Sequence, residues 1–228
     1  MEQPFYGLKR WQVVFLGIIL ILGIVSVYSS YRQRGRTNEP SSVRITIPEG
    51  YDNQEISKLF DSRFKYFDHD VFIQSAQQGY LFPDTYYVGL YMNATATIAL
   101  LKDNFTKKIA PLIPEINKSG TSLKEIILMA SILEAEVRGV NDRRIVSGIL
   151  WKRLKINMAL QVDSSPETYE RPGLPKMPLN NPGLDSITSA LRPISSPYLY
   201  FLTDKSGKVY YAETFEEHKV NRAKYLNK

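Results

Sequence analysis

The sequence predicts a mixed α+β protein, mostly helical, that follows a single apolar segment at its N-terminus. Three observations favour this class: one uncharged run near the start, helical spacing of apolar residues through the middle, and a hairpin pattern near the C-terminus. The chain has 228 residues, of which 43% are hydrophobic and 23% are charged. This composition excludes a disordered chain and is sufficient for a substantial core.

Several classes of site are excluded by composition alone. Cysteine is absent, and His69 and His218 are the only histidines. A disulfide scaffold, a thiolate nucleophile, a cysteine–zinc site and a three-histidine metal site are therefore excluded. We expect no metal or other cofactor, and acid–base chemistry that rests on carboxylates. The net charge is +6, but residues 1–36 hold five basic residues against one acidic residue, so the remainder is nearly neutral and nucleic acid is not an expected partner.

The segment from Trp11 to Tyr28 has the properties of a membrane span. It carries no charge, and as a helix it would be about 27 Å long, enough for a bilayer core with little tilt. A cleaved signal peptide is the alternative, but no small-residue cleavage site follows the apolar run. We therefore expect a transmembrane anchor over residues 1–30 and, because residues 31–42 are polar and rich in breakers, a juxtamembrane linker there.

Beyond the linker, periodicity and capping signals predict a short strand over 43–47, a turn at 48–50 and a C-terminal hairpin formed by 198–202 and 209–211. Five prolines indicate a loop over 163–183. Capping boxes, in which a Ser or Thr is followed three residues later by Glu, begin two of the predicted helices. Helices are expected over these segments: 54–60, 68–78, 95–110, 122–138, 143–155, 184–191 and 214–226.

Two carboxylates near the end of the helix over 122–138 are candidates for chemistry. On a helical wheel Glu134 falls within the apolar arc, whereas Glu136 points about 160° away from it. A carboxyl group against apolar surface loses hydration, which favours its protonated form and suits it to general acid catalysis. The alternative for Glu134 is a stem that packs while the carboxylate reaches water. Glu136 is more simply explained as a surface carboxylate, or as one that positions other site residues without contacting the substrate.

Polar and aromatic residues elsewhere are weaker candidates. Gln161 and Asp163 precede the proline-rich loop, a position at which side chains can serve a binding site. Asp163 is equally explained as a turn residue that binds backbone. Tyr80 belongs to an aromatic group around Pro83 that either stacks on sugar rings or packs one part of the chain against another. His218, alone on the last helix, is more simply explained as a structural histidine.

Five motifs then occur in a fixed order: GYLFPDTY at 79–86, ASILEAE at 130–136, QVD at 161–163, NPG at 181–183 and PYLYF at 197–201. Together with the N-terminal span they resemble the endolytic murein transglycosylase family, membrane-anchored bacterial enzymes that cut peptidoglycan glycan strands. The resemblance covers the chain from about residue 43 onward. It implies a LysM-like subdomain over 43–88 and a catalytic domain over 89–228.

The resemblance implies that Glu134, the first Glu of its motif, is the catalytic acid. One carboxyl group would protonate the glycosidic oxygen between MurNAc and GlcNAc and then accept the proton of the MurNAc 6-hydroxyl, which closes a 1,6-anhydro ring. No water nucleophile is needed, so the second carboxylate of ordinary glycosidases is not required. The expected substrate-binding residues share polar or aromatic side chains: Gln161, Asp163, Tyr80 and Glu136.

The chain also departs from the family pattern. The region ahead of the first motif is short, which leaves room for only a truncated LysM-like subdomain. Gln78 stands where the family has Glu, Lys219 stands where it has Asn, and the loop after Asp163 is shortened. The shortened loop and Gln78 favour an alternative function, a non-catalytic membrane-anchored protein that binds peptidoglycan.

The resemblance further implies a location and partners. We expect a single pass through the cell membrane, with the N-terminus in the cytoplasm and the catalytic domain outside. Expected partners are peptidoglycan glycan strands and the lipid bilayer, and peptidoglycan synthases are candidates as neighbours in the membrane.

Overall fold

The computed structural model describes residues 20–29 and 42–226. Residues 20–29 are helical, and the remainder of the predicted span and most of the linker lie outside the described residues. Within the described ranges, no helix combines the length and apolarity needed to cross a bilayer. The chain divides into one unit that ends at Ser42 and a second that begins at Val43. The membrane anchor therefore stays a prediction, and the description below concerns the second unit.

The second unit begins with a small β–α–α–β part. Its elements are strand β1 (Ser42–Thr46), helix α1 (Asn53–Asp61), helix α2 (His69–Ser75) and strand β2 (Thr85–Gly89), and the two strands form one sheet. Helix α2 is shorter than predicted because Ala76 takes an extended backbone conformation. Strand β2, within and after the first motif, was not predicted from the sequence.

A helical layer and a hairpin follow the small part. The remaining elements, in chain order, are α3 (Ala94–Ile109), a 3₁₀ turn (Ala110–Leu112), α4 (Ile113–Ser119), α5 (Leu123–Glu136), α6 (Val140–Lys155), α7 (Glu167–Glu170), α8 (Leu184–Leu191), β3 (Tyr200–Thr203), β4 (Val209–Ala212) and α9 (Phe215–Tyr225). Strands β3 and β4 pair antiparallel, as the hairpin pattern predicted. The mixed, mostly helical class is confirmed.

Helix α5 is the centre of the larger hydrophobic core. Every residue from Ile126 to Leu133 is buried, because neighbours cover the helix on all sides over these two turns. Helix α3 contributes to both cores: Leu101 packs with the small β–α–α–β part, and Phe105 and Ile109 pack with the larger core. The small part is thus joined to the rest by shared apolar packing, and the boundary at residue 88 stays a prediction.

Local signals at the helix ends were mostly correct. The capping box of Ser122 and Glu125 at the start of α5 is present, as is the one that begins α9. Helix α6 begins earlier than predicted, since Gly139 is its N-cap and no side chain caps it. The proline-rich segment is a loop except for the single turn of α7.

Candidate active site at the end of helix α5

Helix α5 ends at two glutamates that point to different sides. The residue after Glu136, Val137, is extended (φ −139°, ψ 129°), so the helix ends there. Glu134 and Glu136 therefore both lie in the last turn of one helix. The wheel predicted that they would leave on different faces, and their surroundings in the structure differ completely.

The side chain of Glu134 is buried, and each of its two carboxylate oxygens accepts a hydrogen bond. Its side chain is 6% exposed, its Oε1 accepts from Nη2 of Arg143 at 2.8 Å, and its Oε2 accepts from the backbone N–H of Gly183 at 2.9 Å. Arg143 also donates from Nε to the carbonyl oxygen of Val137 at 2.7 Å. The wheel prediction of a buried position is therefore correct for the side chain, but the carboxylate oxygens themselves contact a guanidinium and a backbone N–H and not apolar groups.

A third carboxyl group, Glu49, lies beside this ion pair. A Cβ added at Gly183 would fall 1.9 Å from Oε1 of Glu49, so the glutamate lies directly over that glycine. Burial and then the negative charge of Glu134 raise the pKa of Glu49, against an opposing effect of Arg143. Sequence reasoning missed Glu49 because a glutamate in a turn has no periodic pattern that marks it.

Glu136 instead opens onto a cavity of about 380 Å³. Its carboxyl group is half-buried, and Oε1 accepts from the backbone N–H of Ser164 at 2.9 Å. Thr203 donates from Oγ1 to the carbonyl oxygen of Glu136 at 3.3 Å, so β3 holds the end of the helix. The polar and charged residues that line the cavity with it are Arg153, Gln161, Asp163, Tyr169, Tyr200, His218 and Arg222.

Gln161 and Asp163 meet Glu136 in this cavity, as members of one site. Gln161 has a left-handed backbone (φ 50°), a conformation that costs a residue with a Cβ on the order of 1–3 kcal/mol and that clusters at functional sites. The hydroxyl of Tyr169 donates to Oδ1 of Asp163 at 2.5 Å. This bond, together with burial, raises the pKa of Tyr169 to about 12, so the phenol stays protonated and Asp163 is the acceptor.

His218 also lines the cavity. Its ring stacks on Tyr200 with centroids 5.4 Å apart, and its Nδ1 is buried without a hydrogen-bond partner among the described residues. Burial, followed by the charges of Arg222 and Arg153, lowers the pKa of His218, so the imidazole is neutral at pH 7. Its placement depends on the return of α9 against β3, which a single sequence does not reveal.

Tyr80 lies in a different place. It lines a second cavity, of about 550 Å³, and its ring contacts that of Phe105 with centroids 5.1 Å apart. The five predicted site residues therefore occupy three positions: Glu136 with Gln161 and Asp163, Glu134 in its ion pair, and Tyr80 in the second cavity. Over the described ranges, no group of three or more His, Asp or Glu side chains is arranged to hold a metal ion.

A model of the YceG-like family matches residues 27–167 and 165–224, which together make up most of the chain. The chain belongs to the YceG-like family.

Relatives of this YceG-like chain carry a function in their names. A protein named endolytic murein transglycosylase from Streptococcus pneumoniae strain D39 is 26% identical over 260 residues, which cover 86% of this chain and 47% of that protein. One of the same name from Bacillus subtilis strain 168 is 30% identical over 210 residues, which cover 76% of this chain and 58% of the relative. The chain thus spans about half the length of the S. pneumoniae relative.

The fold is also similar to that of a solved structure. The crystal structure of a YceG-like protein from Listeria monocytogenes superposes with a TM-score of 0.72 at 26% identity, and the match covers 82% of this chain and 78% of that one.

Proposed function

We propose that this chain is a membrane-anchored endolytic lytic transglycosylase that cleaves the MurNAc–GlcNAc bond of peptidoglycan and leaves 1,6-anhydro-MurNAc ends. The names of its relatives support the reaction. The observation that carries the proposal is the cavity at the end of α5, where Glu136, Gln161 and Asp163 meet.

In this proposal the catalytic acid is Glu136, and not Glu134 as the motif resemblance implied. Oε1 of Glu134 accepts from Arg143 and Oε2 accepts from the N–H of Gly183, so protonation of this group would weaken a buried ion pair. In the described part of the chain, Oε1 of Glu136 accepts one bond and Oε2 accepts none. A half-buried carboxyl group on the wall of a cavity, with one oxygen that accepts no hydrogen bond from the described residues, is able to reach a glycosidic oxygen.

The reaction requires one group that first gives and then takes a proton. Glu136 as the neutral acid donates its proton to the glycosidic oxygen while the bond from that oxygen to C1 of MurNAc breaks. The resulting carboxylate accepts the proton of the 6-hydroxyl of the same sugar, whose oxygen bonds to C1. The net result moves one proton from the 6-oxygen to the leaving oxygen, and no water or second carboxylate takes part.

Neighbours of Glu136 have separate duties in this scheme. The carboxylate of Asp163, held by Tyr169, stabilises the positive charge that develops at C1, and Gln161 hydrogen-bonds the sugar. Glu134 and Arg143 position Glu136 and do not contact the substrate in this scheme. Because Arg143 bonds both Glu134 and the carbonyl oxygen of Val137, the ion pair holds the end of α5 and thereby the backbone of Glu136.

One departure from the family pattern does not affect this cavity. Gln78, which stands where the family has Glu, accepts from the N–H of Asn53 at 3.1 Å and donates to the carbonyl oxygens of Pro178 and Leu179 at 2.8 and 3.0 Å. It joins the small β–α–α–β part to the 178–179 loop and lines the other cavity. Gln78 is therefore no argument for a binding protein without activity.

The proposal includes a membrane anchor over residues 1–30, a linker over 31–42 and a LysM-like subdomain over 43–88. The uncharged run from Trp11 to Tyr28 supports the anchor. We place the N-terminus in the cytoplasm and the folded part outside, where peptidoglycan lies, with bilayer lipids and peptidoglycan synthases as neighbours.

Since the chain has no cysteine, Ser42→Cys should react in intact cells with a thiol reagent that does not cross membranes. Labelling only after lysis would contradict this orientation.

The activity is tested with the full chain in detergent and purified peptidoglycan. Mass spectrometry of the soluble products should show fragments that end in 1,6-anhydro-MurNAc, released from within long strands. Products that end in reducing MurNAc would indicate hydrolysis instead. Binding to peptidoglycan without any cleavage would establish the alternative, a non-catalytic wall-binding protein.

A further inference from the structure

A second cavity, of about 550 Å³, lies where the small β–α–α–β part meets the 176–178 loop and the start of α5. Asn53, Gln77 and Gln78 contribute amide groups to it, and Ile73, Ala76, Met177 and Pro178 contribute apolar surface. Tyr80, the remaining residue predicted to contact substrate, lies in this cavity and not beside Glu136. The cavity has no part in the reaction proposed above.

The walls of this cavity are held by hydrogen bonds and close packing. Gln78 donates to the carbonyl oxygen of Pro178 at 2.8 Å, and Nδ2 of Asn53 donates to the carbonyl oxygen of Ala76 at 2.9 Å. Gly79 has a left-handed backbone (φ 90°), and a Cβ there would lie 2.6 Å from Cγ of Pro178. The cavity is thus formed before any ligand binds, which lowers the cost of binding.

The charge of the cavity is positive. Lys124 and Lys176 are exposed and belong to its lining, which contains no carboxylate among the described residues. Over residues 20–29 and 42–226, neither lysine forms an ion pair within 4.0 Å. The adjacent Glu125 is engaged in capping α5, and Glu167 bonds Arg171 and the N–H of Lys176. The charge of Glu167 also acts on Lys176, though not as an ion pair within 4.0 Å, so both ammonium groups can still contact an anion.

We propose that this cavity binds the free carboxylates of a peptide stem carried by the glycan substrate, an inference that rests on the proposed function. The two lysines match carboxylates, the amides match the peptide backbone, and the apolar surface matches small side chains. Lys124 and Glu136 lie at opposite ends of α5, about 18 Å apart along its axis. One extended strand could therefore place a stem in this cavity while another of its sugars lies at Glu136.

The test compares substrates with and without stems. Lys124→Gln/Lys176→Gln is assayed on peptidoglycan strands that carry peptide stems and on strands stripped of stems by an amidase. We expect KM on the stem-bearing strands to rise about tenfold with kcat unchanged, since loss of charged contacts made equally in ground and transition states affects binding alone. On the stripped strands we expect no change. Lys124→Arg/Lys176→Arg should restore the affinity.

A matched control removes the same charge elsewhere. Lys58→Gln/Lys118→Gln replaces two exposed lysines that do not line the cavity, and it should behave as the wild type. Equal loss with both substrates, or equal loss in the control, would overturn the inference in favour of general attraction to polyanions. Unchanged KM would overturn it too.

A binding measurement separates this inference from the proposed function. A fluorescent peptide stem should bind the wild type and bind at least tenfold more weakly to Lys124→Gln/Lys176→Gln, whether or not the protein cleaves glycan. If inorganic phosphate displaces the peptide at equal concentration, the cavity is an unselective anion site and the inference fails. If the peptide binds as proposed but no anhydro ends form, the proposed function fails and the inference is confined to binding.

Discussion

Two glutamates two residues apart in α5 have opposite surroundings. Glu134 is 6% exposed and bonded at both carboxylate oxygens, whereas Glu136 opens onto a cavity with polar residues from the 161–169 loop and the last helix. In the proposed assignment the buried carboxylate has a structural role and the carboxylate on the cavity wall has the catalytic one. A general acid has to reach its substrate, and Glu136 is the one of the two that lines the cavity described above.

The two glutamates also differ in how completely the polar groups around them are hydrogen-bonded. Around Glu134 the hydrogen-bond donors and acceptors are paired. Arg143 donates to Glu134 and to the carbonyl oxygen of Val137, and the N–H of Gly183 donates to Glu134. Around Glu136, by contrast, Gln161 has a strained backbone and Nδ1 of His218 has no partner among the described residues. Strain and unsatisfied polar atoms are expected where a ligand is to bind.

The largest effect on stability should follow removal of Arg143. Arg143→Ala leaves the carboxylate of Glu134 buried and unpaired, so we expect the free energy of unfolding to fall by about 3–5 kcal/mol. Urea denaturation measures this. Arg138→Ala, an exposed arginine on the same connection, should change it by less than about 0.5 kcal/mol. Equal effects of the two variants would show that the ion pair does not hold the end of α5.

A smaller effect of opposite sign is expected on the cavity side. Gln161→Gly removes the penalty of a left-handed backbone, so we expect unfolding to cost about 1 kcal/mol more than in the wild type while cleavage activity falls. Gln161→Ala should lower activity without the gain in stability. If Gln161→Gly had lower stability and full activity, the backbone at position 161 would be neither strained nor needed for cleavage.

The smallest effect concerns pH. Because its folded-state pKa lies below the ordinary value of 6.5, His218 binds a proton more tightly in the unfolded chain. Its contribution to stability is therefore present above about pH 6.5, decreases as pH falls below that value, and stops changing below the folded pKa. The difference in urea midpoint between wild type and His218→Gln should reveal this between about pH 5 and 8. A constant difference would contradict a neutral, buried imidazole.

Local features of the fold were predictable from the sequence, and long-range ones were not. The capping boxes of α5 and α9 involve residues three apart, so their signal is contained in a few letters. Strand β2 pairs with β1, some 40 residues earlier along the chain. Because this pairing is long-range, no local pattern in the sequence marked β2 as a strand.

The site divides in the same way. The wheel separated Glu134 from Glu136 because both lie on one helix, but the partner that decides the role of Glu134 comes from the following helix, at Arg143. Glu49 and His218 reach the two sides of α5 from the first turn and the last helix of the folded part. Gln161 and Asp163 could be predicted as site residues because they precede a proline-rich loop, whereas the left-handed backbone of Gln161 and the tyrosine partner of Asp163 could not.

One comparison of variants tests the division of roles between the two glutamates most directly. Anhydro-MurNAc ends released by Glu136→Gln are measured against those released by Glu134→Gln/Arg143→Met, which removes both charges of the buried pair and so avoids an unpaired one. Glu136→Gln should lower the yield by about 10²–10⁴-fold and leave the unfolding midpoint nearly unchanged. The double variant should keep activity within about tenfold of wild type whenever it is folded. Near-normal yield from Glu136→Gln, with none from a folded double variant, would contradict this assignment and return the catalytic role to Glu134.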